Sequence, residues 1–288
     1  MTNNLTAVRS PHRRIKSGLI IRYVLAIIIT IIMVFPLFWM LSTSLKTEQQ
    51  VMSSTLVFWP TVPQWVNFSY PFQKVPFLRY MFNTALITAM QMTSELLLGI
   101  LAAYGFSKGK FHGKHFLFIV VLGAMMIPIQ VTFIPLYIVI ARIGWMNTYW
   151  GVWIAGCVSS YTIFLLRQSF MTVDDSYIEA ARVDGMGKLG SIFRIMVPMC
   201  KPTVITVALT TFMGGWNNYF WPKIIIKAQD MYVLTVGVQR LKTSYGNDAT
   251  SNYHQIMAGV LISVIPVFIV FALFQRHMLS GFTKAAMK

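Results

Sequence analysis

The stretch LIIRYVLAIIITIIMVFPLFWML, residues 19–41, decides the class of this chain, because its only charged residue is Arg22 near its start. A helix needs about 20 apolar residues to cross the hydrocarbon core of a bilayer. Arg13, Arg14 and Lys16 precede the stretch, as in a signal peptide. The run exceeds the roughly 7–15 apolar residues of a signal sequence, however, and no small-residue cleavage site follows it. We therefore interpret it as an uncleaved first membrane span.

The composition of the whole chain supports this interpretation. Of 288 residues, 56% are hydrophobic and only 11% are charged, whereas soluble domains carry roughly 25% charged residues. Disordered chains are poor in apolar residues, and two cysteines cannot build a disulfide scaffold. The net charge of +16 suggests a nucleic-acid partner, but a nucleic-acid-binding domain would not be so apolar. The remaining class is an integral membrane protein whose partner is the lipid bilayer, with no nucleic acid.

Five further apolar stretches bring the number of predicted transmembrane helices to six and define an all-α, polytopic fold. They cover residues 80–104, 116–140, 150–166, 203–221 and 255–274. The 116–140 stretch is long enough to cross the bilayer as one tilted helix, in which Pro128 and Pro135 could introduce kinks. We expect an N-terminal tail over 1–18, a transmembrane domain over 19–276 and a C-terminal tail over 277–288.

The basic residues predict the orientation. Two-thirds of the 24 Lys and Arg fall in the two tails and in the second and fourth loops. Because cytoplasmic loops carry an excess of Lys and Arg, both termini should face the cytoplasm, in the cytoplasmic (inner) membrane.

Motifs for catalysis are missing from the sequence. It contains no G-x-x-x-x-G-K-[ST], so we predict no nucleotide site in this chain, and it contains no H-E-x-x-H or Cys/His cluster with zinc spacing. The five histidines fall in predicted loops or tails. We expect no catalytic residues, no bound metal and no enzymatic activity.

One ionisable residue, Glu95, lies well inside a predicted span, with Gln91 one turn before it on the same face. Ionisable groups in a membrane interior are costly, so Glu95 is a candidate for a pathway or gate residue. The plainer interpretation, which we favour, is a hydrogen bond to Ser, Thr or Asn of a neighbouring helix.

The fourth loop, residues 168–202, holds four of the eight acidic residues and reads as two short helices. Asp174 or Asp175 can cap the first, and Gly185 can end it. The second should show an amphipathic stripe formed by Leu189, Ile192, Phe193 and Met196. The loop is either an amphipathic helix on the lipid surface or a docking element for a cytosolic partner. The acidic residues and small alanines favour docking.

The residues Glu179, Ala180, Ala181 and Gly185, followed by Ile195 and Pro198, form the pattern E-A-A-x-x-x-G, nine residues, I-x-x-P. This pattern resembles the EAA loop of bacterial ABC importer permeases. Residues 215–222 (GWNNYFWP) and 233–237 (VLTVG) resemble the MalG-like branch of carbohydrate permeases, as do the motifs at 126–128, 134–137, 274–276 and 281–283. Met186, where the family often has alanine, and the tail sequence 284–288 depart from the family pattern.

The resemblance implies a permease subunit that imports a sugar or oligosaccharide by alternating access driven by a separate ATPase. It implies a homologous second permease, two ATPase subunits that bind ATP and Mg²⁺, and an extracytoplasmic solute-binding protein. The implied ATPase-docking residues, on a coupling helix between the fourth and fifth spans, are Glu179, Ala180, Ala181, Asp184, Gly185, Ile195 and Pro198. The alternative functions are a secondary ion-coupled carrier, which would show inverted repeats and several buried acids, and a membrane enzyme, which would need a catalytic cluster.

The fifth predicted span is the most polar and supplies most candidates for the translocation pathway. Because sugars are bound by aromatic faces and by hydroxyl or amide groups, the candidates are Gln91, Glu95, Thr211, Trp216, Asn217, Asn218 and Tyr219. The alternative is that the two asparagines tie helices together and that Trp216 is an interfacial anchor.

Overall fold

The computed structural model describes the backbone of residues 17–286 and the side chains of Leu19 and of residues 21–274. The predictions about the N-terminal tail, and those about the side chains of the C-terminal tail, lie outside the described residues. The described part is helical and contains no strand. Its α-helices are α1 (Ser17–Ser44), α2 (Glu48–Met52), α3 (Tyr70–Lys74), α4 (Phe77–Lys108), α5 (Lys114–Met125), α6 (Ile129–Arg142), α7 (Tyr149–Trp153), α8 (Ser160–Met171), α9 (Asp175–Val183), α10 (Lys188–Ser191), α11 (Val197–Met199), α12 (Lys201–Trp216), α13 (Phe220–Ile225), α14 (Leu234–Ser244) and α15 (Tyr253–Ala286).

Three of the described helices are long and apolar enough to cross a membrane without a break: Ile21–Ser44, Phe77–Lys108 and Tyr253–Phe274. They correspond to the first, second and sixth predicted spans. Three further helix pairs pass the same test but are bent, so the number of spans reaches six if each pair crosses once. The bends are 100° between α5 and α6, 44° between the helix Tyr149–Gly156 and α8, and 88° between Lys188–Met199 and Lys201–Ile225.

The prediction of one tilted helix over 116–140 is wrong. α5 ends at Met125 and α6 begins at Ile129, with Pro128 at the junction. Proline has no amide hydrogen to donate and disfavours helical geometry in the residue before it, so the chain turns there. Pro135 lies inside α6 and does not interrupt it. The fourth predicted span is also broken, between Gly156 and Ser160.

Two apolar clusters hold the helices together. The Trp221 cluster includes Tyr80, Ile87, Trp221 and Leu234, and the Phe170 cluster includes Ile100, Leu166, Phe170, Ile178 and Met196. α4 runs through both, because Tyr80 and Ile87 lie in the first cluster and Ile100 in the second. The polar residues Gln91 and Glu95 therefore occupy the part of α4 between the two clusters.

Candidate functional site

A cleft of about 760 Å³ lies where the two clusters leave α4 uncovered. Four of the predicted pathway residues line it, namely Gln91, Glu95, Thr211 and Asn218. Residues with hydroxyl groups from other parts of the chain also line it, namely Thr132, Ser159, Ser160, Tyr161, Thr162 and Thr210.

Three helix breaks meet at this cleft. Ile127 and Ile129 flank the break between α5 and α6, and Gly156 and Ser159 flank the break before α8. The third break is the one between α12 and α13, bordered by Gly215 and Asn218, and it is distinct from the 88° bend before Lys201. Non-helical backbone at membrane depth is tolerated only where it is buried in protein or lines a cavity, because its N–H and C=O groups need partners. The three breaks therefore indicate a polar cavity within the membrane, the usual setting of a transport site.

Glu95 is both a cleft residue and a link between helices. The hydroxyl of Thr162 on α8 donates a hydrogen bond to its carboxylate, and the side chain is buried. The interhelical hydrogen bond that we favoured from the sequence is thus present. Glu95 also lines the cleft, and its role in the pathway stays a prediction.

Gln91 is held by the end of α7. Its Nε2 donates to the carbonyl oxygens of Val152 (3.2 Å) and Trp153 (3.4 Å). A Cβ on Gly156 would lie 2.6 Å from Nε2, so this glycine makes room for the amide. Across the cleft, the buried hydroxyl of Thr211 has no hydrogen-bond partner among the described residues. A buried, unpaired hydroxyl is costly unless a ligand or water bonds it.

The structure does not bring Trp216, Asn217 and Tyr219 to the cleft. Trp216 is buried in the Trp221 cluster, and its Nε1 donates to the carbonyl of Ser263 on α15 at 3.1 Å. Asn217 is exposed and bonds its own helix, through the carbonyl of Met213. Tyr219 accepts from Lys223 and lines a separate basic cleft on the far side of α13. Trp216 therefore joins α12 to α15. The sequence had suggested that it is a pathway residue or an interfacial anchor.

Sequence reasoning missed Thr162 and Ser159. Ser159 caps α8 by accepting from the amide of Thr162, which aims the start of α8 at the cleft. The consecutive polar residues Ser159 and Ser160 inside an apolar stretch were the available signal, because such a pair favours a helix start over a helix interior.

The second site is the exposed helix α9. Asp174 caps it, as one of the two predicted alternatives, by accepting from the amide of Ser176 at 2.8 Å. Hydrogen bonds from the side chain and then the amide of Ser176 lower the pKa of Asp174 below its ordinary value of 3.8. At the other end Gly185 has φ +79°, a left-handed conformation that favours glycine. Lys108, at the end of α4, bonds Asp175 (2.6 Å) and so fixes the start of α9.

Most of the predicted docking residues form one exposed face. Glu179, Ala180, Asp184 and Gly185 are exposed. Ala181 is 5% exposed and packs inward, so it does not belong to the open face that the sequence led us to expect. Of the two residues beyond α10, Pro198 is exposed and Ile195 is half-buried.

The segment after α9 differs from the predicted amphipathic helix. Residues Ile192–Met196 form a π-helix between α10 and α11. The four residues of the predicted stripe do not share one face; they divide into two pairs. Ile192 and Met196 are buried in the Phe170 cluster, whereas Leu189 (64%) and Phe193 (42%) are exposed.

Among the described residues, no group of three or more His, Cys, Asp or Glu side chains could hold a metal ion. The cleft presents hydrogen-bonding groups, and α9 presents an exposed surface with small and acidic residues.

These features define a helical membrane permease with a polar cleft at its broken helices. The family described as "binding-protein-dependent transport system inner membrane component" matches residues 95–284. The chain belongs to this family, and it is a multi-pass component of the inner membrane.

Curated relatives extend over most of the chain. The permease protein AraQ of an arabinooligosaccharides transport system, from Halalkalibacterium halodurans, is 30% identical to this chain. The match covers 90% of this chain and 93% of AraQ. The permease protein NgcG of a diacetylchitobiose uptake system, from Streptomyces coelicolor, is 27% identical over 89% of this chain and 85% of its own. The permease protein UgpE of an sn-glycerol-3-phosphate transport system, from Yersinia enterocolitica, is 28% identical over 90% of this chain and 94% of its own length.

A solved structure shares the fold. A chain of a bacterial ABC transporter that imports the acidic polysaccharide alginate superimposes with a TM-score of 0.81 and 23% identity, over 94% of this chain and 99% of that one. A chain of the bacterial alginate transporter, in complex with a periplasmic protein bound to an alginate pentasaccharide, gives a TM-score of 0.59 at 15% identity. The match covers 91% of this chain and 96% of that one.

Proposed function

We propose that this chain is a permease subunit of an ATP-driven importer for a sugar or oligosaccharide. The observation that carries the proposal is the cleft at the three helix breaks, whose carboxylate, amide and hydroxyl groups suit a polyhydroxylated solute. The names of the relatives that act on arabinooligosaccharides and diacetylchitobiose, and the alginate transporter of the same fold, support this substrate class.

An extracytoplasmic binding protein delivers the solute in this proposal. The family description and the solved complex with a sugar-loaded periplasmic protein support such a partner. Glu95, Gln91, Thr211 and Asn218 contact the solute as it crosses the cleft. Both termini face the cytoplasm, as the distribution of Lys and Arg predicts.

Energy comes from separate subunits. The chain has no nucleotide-binding motif, so ATP and Mg²⁺ bind in two partner ATPases, and no cofactor binds to this chain. The exposed face of α9 docks on an ATPase, with Glu179 supplying a charge-assisted contact, Ala180 a close approach and Gly185 the bend. A homologous second permease completes the membrane channel as a heterodimer, and closure of the ATPases drives alternating access.

The alternative, a secondary ion-coupled carrier, is less well supported. Such carriers hold several ionisable groups at membrane depth. Among the buried residues of the described spans, Glu95 is the one carboxylate. The family membership also favours a component of a binding-protein-dependent system.

The deciding experiment co-expresses the chain with the second permease and the ATPase of its operon and measures two quantities. These are recovery of the ATPase with the tagged permease, and ATP-dependent sugar uptake in proteoliposomes supplied with the binding protein. We expect Glu179→Lys to lose most of both, because the substitution reverses the charge of the docking face.

The matched control is Glu48→Lys, which makes the same charge change at an exposed position of α2. We expect it to keep ATPase recovery and uptake. Equal recovery of the ATPase by the Glu179→Lys protein would disprove docking through α9. Uptake that needs no ATPase would favour the carrier.

A further inference from the structure

A small pocket of about 160 Å³ lies at the end of α1, where the apolar helix gives way to α2 and the loop after it. Trp39, Thr43 and Lys46 line it from the end of α1 and the residues just after it, and Ser53, Ser54 and Thr55 line it from the loop after α2. Among the described residues it has no lining residue in common with the cleft at the helix breaks. The site is therefore separate from the proposed transport pathway.

Lys46 is the unusual member of this pocket. The residue is 3% exposed, and its ammonium lies 4.1 Å from the centroid of the Trp39 ring. It forms no ion pair with any described residue, and burial lowers the pKa of its ammonium. A buried lysine without a counter-ion is unfavourable, and the aromatic ring offsets only part of its lost hydration.

The hydroxyl of Thr43 is a second buried group without a partner. Thr43 is 3% exposed, and its Oγ1 has no hydrogen-bond partner among the described residues. Its neighbours differ, because Ser42 donates to the carbonyl of Phe58 and Ser44 to the carbonyl of Leu41. Thr43 and Lys46 therefore both line one pocket, and the donor of each lacks an acceptor among the described residues. The ligand that satisfies both is a compact acceptor with negative charge.

The surroundings of the pocket are those of a membrane interface. Beside it, Leu56, Phe58 and Trp59 are all exposed, and Phe58 and Trp59 pack their rings on Trp39 and Phe38. Aromatic side chains concentrate at the level of the lipid headgroups. The residues of α1 that lead up to the pocket are exposed and apolar, so a lipid chain can lie along them.

We propose that this pocket binds the phosphate group of a membrane phospholipid, with the Lys46 ammonium and the Thr43 hydroxyl donating to its oxygens. Lysine binds phosphate as a point charge, and charge-assisted hydrogen bonds are about twice as strong as neutral ones. The phosphate supplies the counter-ion that the protein does not, and the acyl chains follow the apolar face of α1.

The test uses the purified, delipidated full chain, within its transporter complex, in a neutral detergent. Thermal unfolding is followed while dioleoylphosphatidylglycerol, dioleoylglycerol or inorganic phosphate is titrated. We expect a saturable rise in Tm with phosphatidylglycerol and none with dioleoylglycerol, which has the same chains without the phosphate. Inorganic phosphate, which has no chains to bury, should have no effect at millimolar concentration.

Variants assign the effect to the pocket. Lys46→Met should weaken the apparent affinity for phosphatidylglycerol about tenfold or more, and Lys46→Arg should keep most of it. The matched control Lys242→Met removes an exposed lysine outside the pocket and should change nothing. If Lys46→Met does not fold, Thr43→Val tests the same pocket, and about a threefold weakening is expected.

Two outcomes would overturn the proposal. One is unchanged affinity for phosphatidylglycerol in Lys46→Met and Thr43→Val alike. The other is full stabilisation by inorganic phosphate alone, which would make the pocket a site for a free anion.

Discussion

The two apolar clusters are built in different ways. In the Trp221 cluster, side chains reach backbone groups of distant elements: Asn83 bonds the carbonyl of Tyr232 (2.9 Å) and Trp221 bonds the carbonyl of Gly151 (3.0 Å). The amide of Leu234 is likewise bonded by Thr84 (2.7 Å). Such hydrogen bonds are directional, so they fix α14 and the segment before it against α4, and α13 against α7.

The Phe170 cluster relies more on apolar contacts. It holds α9 through Ile178. Its long-range polar bonds join Lys108 to Asp175 and the carbonyl of Val173, Arg167 to the carbonyl of Phe106, and Cys200 and Thr203 to Ser169, and none of these is as buried as the three bonds of the Trp221 cluster. Apolar packing has no directional requirement, so elements can shift against it at lower cost. We therefore expect the end that carries α9 to shift more readily than the Trp221 cluster, which we expect to act as the more rigid frame.

The strongest test of the rigid frame is Gly237→Ala. A Cβ at Gly237 would lie 2.1 Å from Cδ2 of Tyr80, a ring that is fully buried and has no room to withdraw. We expect a loss of about 3 kcal/mol in the free energy of unfolding, at the upper end for overpacked cores. The measurement is thermal unfolding in detergent. Gly105→Ala on α4 is the control, because no described atom lies within 4 Å of its Cβ; a similar loss there would contradict the explanation.

The hydrogen bonds of the frame are tested by Asn83→Ala. The substitution leaves the carbonyls of Asp230 and Tyr232 without their shared donor, which costs about 1–3 kcal/mol when such groups are buried. Asn252→Ala removes a comparable bond, to the carbonyl of Asp248, at the surface and should cost less than about 0.5 kcal/mol. Equal losses in the two variants would mean that the frame does not depend on buried polar bonds.

At the end that carries α9, which we expect to shift more readily, Gly185→Ala strains a position with φ +79°. A non-glycine residue there costs about 1–2 kcal/mol, which should loosen the turn after α9 and raise the hydrogen exchange of residues 180–186. Gly187, two residues on, has φ −71°, so Gly187→Ala tests the same loop without strain and should change little. A larger effect of Gly187→Ala than of Gly185→Ala would show that the left-handed conformation at Gly185 is not what holds this turn.

The sequence correctly predicted the features that depend on neighbouring residues alone. Six apolar stretches and the two ends of α9 follow from hydropathy and from capping, and Asp174 and Gly185 behave as expected. Hydropathy measures length and not direction, so the 100° turn at Pro128 was visible only as a possible kink.

The candidate site was predictable in part. Gln91 and Glu95 stood out because polar groups are rare inside spans. The sequence could not show that Trp216 is a core residue and not a pathway residue, because a tryptophan side chain suits a core, a membrane interface or a sugar site equally well. Thr162 was missed because its partner, Glu95, is 67 positions away, and such pairing depends on how α4 and α8 pack.

The smallest expected effect concerns acid conditions at α9. Because its pKa is lowered in the folded state, ionised Asp174 stabilises the helix above the ordinary value of 3.8, and this contribution is lost as the pH falls through the folded pKa. The hydrogen-exchange protection of α9, corrected for intrinsic rates, should stay level between about pH 8 and pH 5 and decline below about pH 4. In Asp174→Asn, which caps without titrating, the decline should be shallower. An identical decline in both proteins would show that ionisation of Asp174 is not its cause, and the cap would then contribute nothing to the contrast between a fixed and a movable end.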